Sequence, residues 1–398
     1  MHTFEFYNPV HLIFGAGEVK RVGSAAATLG KKALLVTYSD HGYLDPVIEK
    51  IESSLEAEGI RLAKYFGVSP NPKMGEVAKG VQVCKETEAE FLIGLGGGSA
   101  MDATKMIAAG AFYPGELWDM VFSRHDNSKV TVPPSKALPT LMIPTLPATG
   151  SEMNPTAVVT NEQIKEKSYT WNPCLYPKIS IADPELTVSL PAYQSACAAA
   201  DTLSHVLEFY LLGFKEAFLN NRIQEGVMLT VLEYFPFVLR DPGDVNARAH
   251  LQWASIVALN GWSQPGDGWT PMHQLGHVLS ARTECAHGAS LSIVMPAWMK
   301  HYYRTNLKQY GLLATRVFGI DPAGKSPEDL ALAGIDRFES LLKDWGLPTR
   351  LADIGLAAAD IPALTGDVVR VSFGADGTML SKPPATREDV AAVFKLAA

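Results

Sequence analysis

The stretch E-F-L-I-G-L-G-G-G-S-A-M-D-A-T-K, residues 90–105, decides the predicted fold of this chain of 398 residues. Its short apolar run predicts a buried strand, and the segment after the glycines has the pattern of a helix. Three consecutive glycines, Gly96, Gly97 and Gly98, let the backbone approach a ligand without interference from Cβ atoms. Ser99 can cap the helix, whose first free N–H groups then face an anion. The turn therefore fits a pyrophosphate, with a plain glycine turn as the alternative.

This motif differs from the two common phosphate-binding patterns. It is neither G-x-G-x-x-G nor a P-loop, since no Gly-Lys-Ser/Thr follows the glycines. Asp102 lies one turn inside the helix. Its carboxylate either partners the helix dipole or contacts the cofactor, where it would favour hydroxyls over phosphate.

The segments before this motif alternate between strand and helix patterns. Residues 32–38 and 61–66 are predicted strands, and residues 45–58 and 73–87 are predicted helices. This alternation predicts a parallel sheet covered on both faces, with ligands bound beyond the carboxyl ends of the strands. Residues 3–15 alternate apolar and polar side chains around Asn8-Pro9, which predicts two short strands at a sheet edge or against a second subunit.

After the motif, residues 141–154 begin as a strand and continue as a loop rich in Thr, Pro, Gly and Ser. The hydroxyls of Thr145, Thr149 and Ser151 either line the ligand crevice or belong to an ordinary loop. Strand patterns stop after Leu190-Pro191. We therefore expect an α/β dinucleotide-binding domain over residues 1–190 and an all-helical metal-binding domain over residues 191–398.

Two short motifs in the helical half predict a divalent-metal site. In D-T-L-S-H (201–205) a carboxylate and a histidine are spaced i, i+4, and so are His273 and His277 in H-Q-L-G-H-V-L-S-A-R-T-E-C-A-H (273–287). Residues at that spacing share one helix face, so the two pairs can converge on one ion. Thr270-Pro271 is predicted to cap the second helix. Ordinary helix histidines are the alternative for any single residue.

Composition limits the classes of partner. The chain is 47% hydrophobic and 19% charged with a net charge of −8, which argues against nonspecific binding to nucleic acid or anionic membranes. Small-molecule partners fit better. Four scattered cysteines without a C-x-x-C pair favour a reducing cytoplasm. The sequence contains no run of eighteen apolar residues, so it predicts no membrane span.

Four motifs in this order and spacing resemble the iron-dependent (group III) alcohol dehydrogenases: G-G-G-S-A-M-D-A-T-K, P-T-L-P-A-T-G-S-E-M, D-T-L-S-H-V-L-E and H-Q-L-G-H-V-L-S-A-R-T-E-C-A-H-G. The N-terminal F-Y-N-P-V-H-L-I-F-G is similar to the butanol dehydrogenase and broad-range aldehyde reductase branch. The resemblance covers nearly the whole chain. It implies hydride transfer between NAD or NADP and a primary alcohol or aldehyde such as butanol or butyraldehyde, with the active site between the two domains, and we expect a homodimer.

The resemblance also implies site residues. The metal ligands would be Asp201, His205, His273 and His287, holding Fe²⁺ or, as an alternative, Zn²⁺, and His277 would move the proton. The dinucleotide contacts would be Gly96, Gly97, Gly98, Ser99, Asp102, Thr145, Thr149 and Lys167.

One segment departs from the family pattern. The strand of residues 32–38 runs into Tyr38-Ser39-Asp40-His41, where this branch often has a glycine-rich segment that leaves room for a 2′-phosphate. Ser39 and Asp40 are candidate contacts to the cofactor, and an inward Asp40 would repel that phosphate and bond a ribose hydroxyl, which favours NAD. Because the direction of this loop does not follow from the sequence, NADP stays open.

Rival functions come from the same superfamily and from outside it. A polyol dehydrogenase of the glycerol or propanediol type, from the same superfamily, is the first alternative. A dehydroquinate-synthase-like lyase would share the two-domain plan and a metal. A cofactor-sensing binding protein would keep the glycine turn without the ligands.

Overall fold

The structure is a computed structural model that describes residues 4–123, 130–212, 217–264 and 270–398. The chain divides into two compact units. The sheet unit comprises Tyr7–Leu190 and Asp241–Ile256. The helical unit comprises Met1–Phe6, Pro191–Arg240 and Val257–Ala398. One limit falls at Leu190/Pro191, where the strand patterns of the sequence stop.

The sheet unit contains a six-stranded, all-parallel sheet in the order β1-β8-β5-β4-β2-β3, so the predicted parallel sheet is confirmed. Its strands are β1 (His11–Phe14), β2 (Lys32–Tyr38), β3 (Arg61–Val68), β4 (Phe91–Gly96), β5 (Thr140–Pro144) and β8 (Ile179–Ala182). A separate antiparallel hairpin consists of β6 (Thr156–Asn161) and β7 (Glu166–Trp171).

Helices on this unit are α1 (Val22–Ala26), α2 (Asp45–Ala57), α3 (Met74–Glu86), α4 (Gly98–Gly110) and most of α7 (Val245–Ala258). Neighbouring strand residues belong to two different cores: Leu34 packs into one and Leu35 into the other. Both faces of the sheet are therefore buried. Strands covered on both sides are apolar throughout, which is why β2 and β4 lack the alternation of a half-exposed strand.

The parallel order of the strands determines which edge of the sheet can bind a ligand. Strands β5, β4 and β2 are neighbours, and they end at Pro144, Gly96 and Tyr38. Because parallel strands end at one edge, the glycine turn, the loop of residues 145–154 and the residues after Tyr38 share that edge.

The prediction of two short strands at the N-terminus was wrong in its first half. Only β1 forms, and residues 4–10 are not a strand. Asn8 explains the difference, because its side-chain oxygen accepts from Val10 N–H and its amide donates to Met153 O. The Val10 N–H is therefore satisfied by an Asx turn in place of a strand partner.

The helical unit contains α5 (Ala192–Tyr210), α6 (Phe218–Arg240), α8 (Met272–Thr283), α9 (His287–Tyr302), α10 (Leu307–Leu312), α11 (Pro327–Asp344), α12 (Ile361–Ser372) and α13 (Arg387–Leu396). Helix α9 packs against both α5 and α8. These three helices carry the metal-ligand motifs. Among the described residues, no helix is both long and apolar enough to cross a membrane.

Candidate functional site

Three helices of the helical unit bring their histidines to one buried carboxylate. Asp201 and His205 lie one turn apart on α5, His273 lies in the first turn of α8, and His287 begins α9. The Nε2 atoms of these three histidines are each 3.6 Å from Oδ1 of Asp201. The ligand atoms of Asp201, His205 and His273 also lie within 4.8 Å of one another.

Close approach of two helices places His287 in this group. A Cβ on Gly288 would lie 2.0 Å from the carbonyl oxygen of Cys197, one turn before Asp201 on α5. Only glycine permits that contact. Residue 288 therefore lets the start of α9 reach the carboxylate.

The donor set fits a divalent cation. Four ligands held tetrahedrally at 2.1 Å from an ion lie about 3.4 Å from one another, close to the observed separations. At 3.6 Å the nitrogens are too far from Asp201 Oδ1 for hydrogen bonds. Within the described part of the chain, buried Asp201 Oδ1 and His273 Nε2 have no hydrogen-bond partner. An ion at their centre would satisfy both atoms.

Charge in this group is arranged for a cation. Burial opposes ionisation of Asp201, but the imidazoles of His205, His287 and His273 outweigh it and hold the pKa of this carboxyl well below its usual range. Burial also opposes protonation of His273, but Glu208 and Asp201 raise the pKa of its imidazole to about 10. The group thus attracts positive charge, which a metal ion would supply.

His277 lies beside this group and not within it. Its ring centroid is 5.3 Å from that of His287 and 6.2 Å from that of His273. The residue is buried, with 7% of its surface exposed. Its position agrees with its predicted place near the ligands.

The prediction that Thr270 caps α8 was wrong. The helix begins at Met272, Pro271 occupies the cap position, and no side chain there accepts a hydrogen bond. The Thr270 hydroxyl instead donates to the main-chain oxygen of Glu208, and the Glu208 carboxylate accepts from His273 N–H. A glutamate from α5 therefore takes the place of the local cap, because proline at the cap position has no side-chain acceptor.

In the sheet unit, Tyr38 determines the shape of the glycine turn. Its hydroxyl accepts from Gly97 N–H at 3.0 Å. Gly96 has φ +142°, and a Cβ there would lie 2.7 Å from the Tyr38 ring. Burial of Tyr38 raises the pKa of its phenol far above the ordinary value. Sequence reasoning treated Tyr38 only as the end of a strand and so missed this contact.

The rest of the turn is closed by the loop after β5. Thr145 N–H donates to Gly96 O at 3.0 Å. A Cβ on Gly98 would lie 2.5 Å from Cγ2 of Thr149. The predicted Thr145 and Thr149 are thus brought to the glycines. The N–H groups of Gly98 and Ser99, which begin α4, have no acceptor among the described residues, as an anion-binding turn requires.

Asp102 holds this loop by protein contacts. Its carboxylate accepts from the Ser151 hydroxyl at 2.6 Å and from Val158 N–H at 2.9 Å. Burial raises the pKa of Asp102. A contact from Asp102 to a cofactor stays a prediction.

Lys105, one turn further along α4, was not predicted to act here. Its fully buried ammonium donates to the Ser151 hydroxyl and to the main-chain oxygens of Asn154 and Thr156, each at 2.8 Å. Burial lowers the pKa of Lys105 to about 8 and raises that of nearby Glu152 to about 7. Its spacing of i+3 from Asp102 was the available signal, because both face the same side of the helix.

Lys167 and Ser99 meet through a residue that the sequence did not single out. The Lys167 ammonium donates to Oδ1 of Asn71 at 2.8 Å, and Asn71 N–H donates to the Ser99 hydroxyl at 3.1 Å. Lys167 is 7% exposed and belongs to the hairpin strand β7. Asn71 has a positive φ of 55°, a conformation that asparagine tolerates better than most residues.

Ser39 and Asp40 follow β2 at the sheet edge that also carries the glycine turn. Both are exposed residues directly after β2, and Ser39 N–H donates to Val68 O. The next residue, His41, bonds Asp45 at 2.8 Å and packs on the ring of Phe66. Neither predicted residue has a hydrogen bond to the glycine turn among the described residues.

Comparison with known proteins gives one family match in each half of the chain. The pattern described as "Iron-containing alcohol dehydrogenase" matches residues 9–184, and "Fe-containing alcohol dehydrogenase family, C-terminal" matches residues 195–398. The chain is 36% identical over 401 residues to the probable NADH-dependent butanol dehydrogenase 1 of Bacillus subtilis, covering 99% of each. It is 32% identical over 376 residues to the NADPH-dependent aldehyde reductase YqhD of Escherichia coli, covering 92% of each.

A solved structure is similar over the full length. The NADH-dependent butanol dehydrogenase A of Thermotoga maritima superposes with a TM-score of 0.92 at 36% identity, covering 100% of this chain and 99% of that one. Matches to both family patterns together span most of the chain. The chain belongs to the iron-containing alcohol dehydrogenase family.

Proposed function

We propose that this protein is an NAD(P)-dependent alcohol dehydrogenase and aldehyde reductase. It would transfer hydride between the dinucleotide and a primary alcohol or aldehyde such as butanol or butyraldehyde. The observation that carries this proposal is the equal distance of three imidazole nitrogens from one buried oxygen of Asp201. The names of the Bacillus and Escherichia relatives support the substrate class.

Asp201, His205, His273 and His287 would hold the divalent metal, with Fe²⁺ expected and Zn²⁺ possible. When bound, the ion supplies Lewis-acid polarisation of the substrate oxygen. One carboxylate and three imidazoles would leave a position open for the substrate oxygen on an ion that takes five or six ligands. His277, buried beside His287, would carry the alcohol proton toward solvent, because imidazole titrates near neutral pH.

The sheet unit would hold the dinucleotide at the turn of Gly96, Gly97 and Gly98. The pyrophosphate would accept from the free N–H groups at the start of α4. Ser99, Asp102, Thr145, Thr149 and Lys167 would complete this site. Lys167 supplies positive charge near the turn through its contact with Asn71.

Removal of the metal tests this function. We expect chelated, metal-free protein to lose oxidation of butanol and reduction of butyraldehyde, followed by the absorbance of the reduced nicotinamide with NAD and with NADP. Fe²⁺ should restore both reactions. A lyase or a cofactor-sensing protein would turn over neither substrate. Full turnover by protein shown to be metal-free would contradict the proposal.

Asp40 is proposed to make the enzyme prefer NAD. The residue is exposed directly after β2. A 2′-phosphate carries nearly two charges, so repulsion near 4 Å in water amounts to about 2 kcal/mol. We expect Asp40→Ser to raise kcat/KM for NADP roughly tenfold, since about 1.4 kcal/mol corresponds to a factor of ten. Steady-state kinetics with both dinucleotides measures this.

A matched variant separates the local effect from net charge. Glu56→Ser removes an exposed carboxylate from α2 and should leave the ratio of NADP to NAD activity unchanged. An unchanged ratio in Asp40→Ser would show that this carboxylate faces away from the cofactor.

We further propose a homodimer in the cytoplasm, with residues 1–190 and 191–398 as its two domains. Among the described residues, edge strand β1 pairs with β8 alone, and nearby Tyr7 and Phe14 are 67% and 38% exposed. Such an edge invites a partner strand. The cysteines are free thiols, which supports a reducing compartment. Sedimentation analysis tests the dimer. The polyol alternative has weaker support, because the 1,3-propanediol dehydrogenase of Klebsiella pneumoniae is 28% identical to the chain over 403 residues.

A further inference from the structure

Glu208 is a buried carboxylate beside the proposed metal ligands, with 6% of its surface exposed. It lies on α5, three residues after His205. Its Oε1 atom is 3.0 Å from Nδ1 of His273 and accepts from the main-chain N–H of the same residue at 2.8 Å. The same oxygen thus accepts a hydrogen bond from the backbone of His273 and lies at ion-pair distance from its ring, although Nδ1 lacks hydrogen-bond geometry.

We propose that Glu208 is a positioning residue that fixes the imidazole of His273 for metal binding. The inference rests on the proposed function, since it needs the ion to be there. When a metal is bound, a carboxylate beside Nδ1 would keep the ring proton on that nitrogen and leave the lone pair of Nε2 for the ion. The negative charge also makes the imidazole a more basic ligand.

The start of α8 has no local cap, which explains why its acceptor comes from another helix. Helices α11 and α13 are capped by Ser326 and Thr386, which directly precede them. Pro271 offers α8 no such acceptor. Glu208 caps α8 from α5, the helix that also carries Asp201 and His205. This contact therefore fixes the position of His273 relative to those two ligands.

A second contact also holds the start of α8 against α5. The main-chain oxygen of Glu208 accepts from Thr270 N–H at 2.8 Å and from the Thr270 hydroxyl at 3.1 Å. The start of α8 is therefore attached to α5 by main chain as well as by carboxylate. Only the carboxylate contact reaches the imidazole, so the two contributions can be separated.

The test is the affinity of the full-length protein for Co²⁺, measured by competition with a chelator and by the visible absorption of the bound ion. We expect Glu208→Gln, which keeps an acceptor oxygen but loses the charge, to weaken binding about tenfold. Glu208→Leu, which loses both, should weaken it about a hundredfold. The thermal midpoint of the metal-free protein reports any general loss of structure.

Two control variants separate positioning from structure. Thr270→Val loosens the start of α8 without touching the imidazole, and its Co²⁺ affinity should stay within about threefold of wild type. Glu225→Gln removes another buried carboxylate of the same unit, which accepts a hydrogen bond from the Tyr210 hydroxyl. This variant should bind Co²⁺ with wild-type affinity.

Three outcomes are distinguishable. Weaker binding by the Glu208 variants alone supports the proposal. Wild-type affinity in both Glu208 variants, or equal weakening in Thr270→Val, overturns it and leaves the metal site standing. Failure of the wild-type protein to take up Co²⁺ overturns the metal site itself and this inference with it.

Discussion

Asp201→Asn is expected to remove the metal and lower kcat/KM by at least about a thousandfold, since loss of Lewis-acid stabilisation costs several kcal/mol and about 1.4 kcal/mol is a factor of ten. Oδ1 of Asp201 is the atom that His205, His273 and His287 all surround at 3.6 Å. An amide of the same shape keeps the packing and loses the charge. Three imidazoles would then face one another without an anion.

Metal analysis and butyraldehyde kinetics on the purified variant measure this effect. Asp344→Asn makes the same change at an exposed position on α11, where the side chain is 69% exposed, and should retain metal and activity. If Asp201→Asn kept its metal and its turnover, the carboxylate would not be a ligand.

Gly96→Ala is expected to have the second-largest effect, on stability and on the dinucleotide together. Residue 96 has φ +142°, and an added Cβ would lie 2.7 Å from the Tyr38 ring and 2.8 Å from Cβ of Ala100. Strained backbone and overpacking each cost about 1–3 kcal/mol, so we expect a loss of about 2–6 kcal/mol. Displacement of Tyr38 would also break its hydrogen bond with Gly97 N–H, change the shape of the turn and so raise the KM for dinucleotide.

Urea denaturation gives the loss in free energy of unfolding. Gly59→Ala is the matched control, because Gly59 has φ +65° and nothing within 4 Å of an added Cβ. It should cost about 1–2 kcal/mol, the price of the left-handed conformation alone. Equal losses in the two variants would mean that Tyr38 does not constrain the turn.

The α/β fold could be predicted because its physical signals are local. Apolar runs such as β2 and β4 are buried on both faces, and the helices between them show their own period. The start of α8 could not be predicted from its neighbours. Its acceptor is Glu208, 65 residues earlier in the chain, and a cap from that distance leaves no signal beside Pro271.

Part of the site was also predictable, because its signals are local in the sequence. Asp201 and His205 share a helix face at i, i+4, and Glu208 at i+7 continues that face. The spacing therefore carried a signal for Glu208 that the ligand pattern alone did not use. Tyr38 gave no such signal, because its role depends on the pairing of β2 beside β4.

The central claim is that four side chains bind one ion, and anomalous diffraction from crystals of iron- or cobalt-loaded protein tests it most directly. We predict one peak about 2.2 Å from Oδ1 of Asp201 and from the Nε2 atoms of His205, His273 and His287. A loaded crystal with its peak elsewhere, or with any of these four atoms beyond bonding distance, would contradict the account.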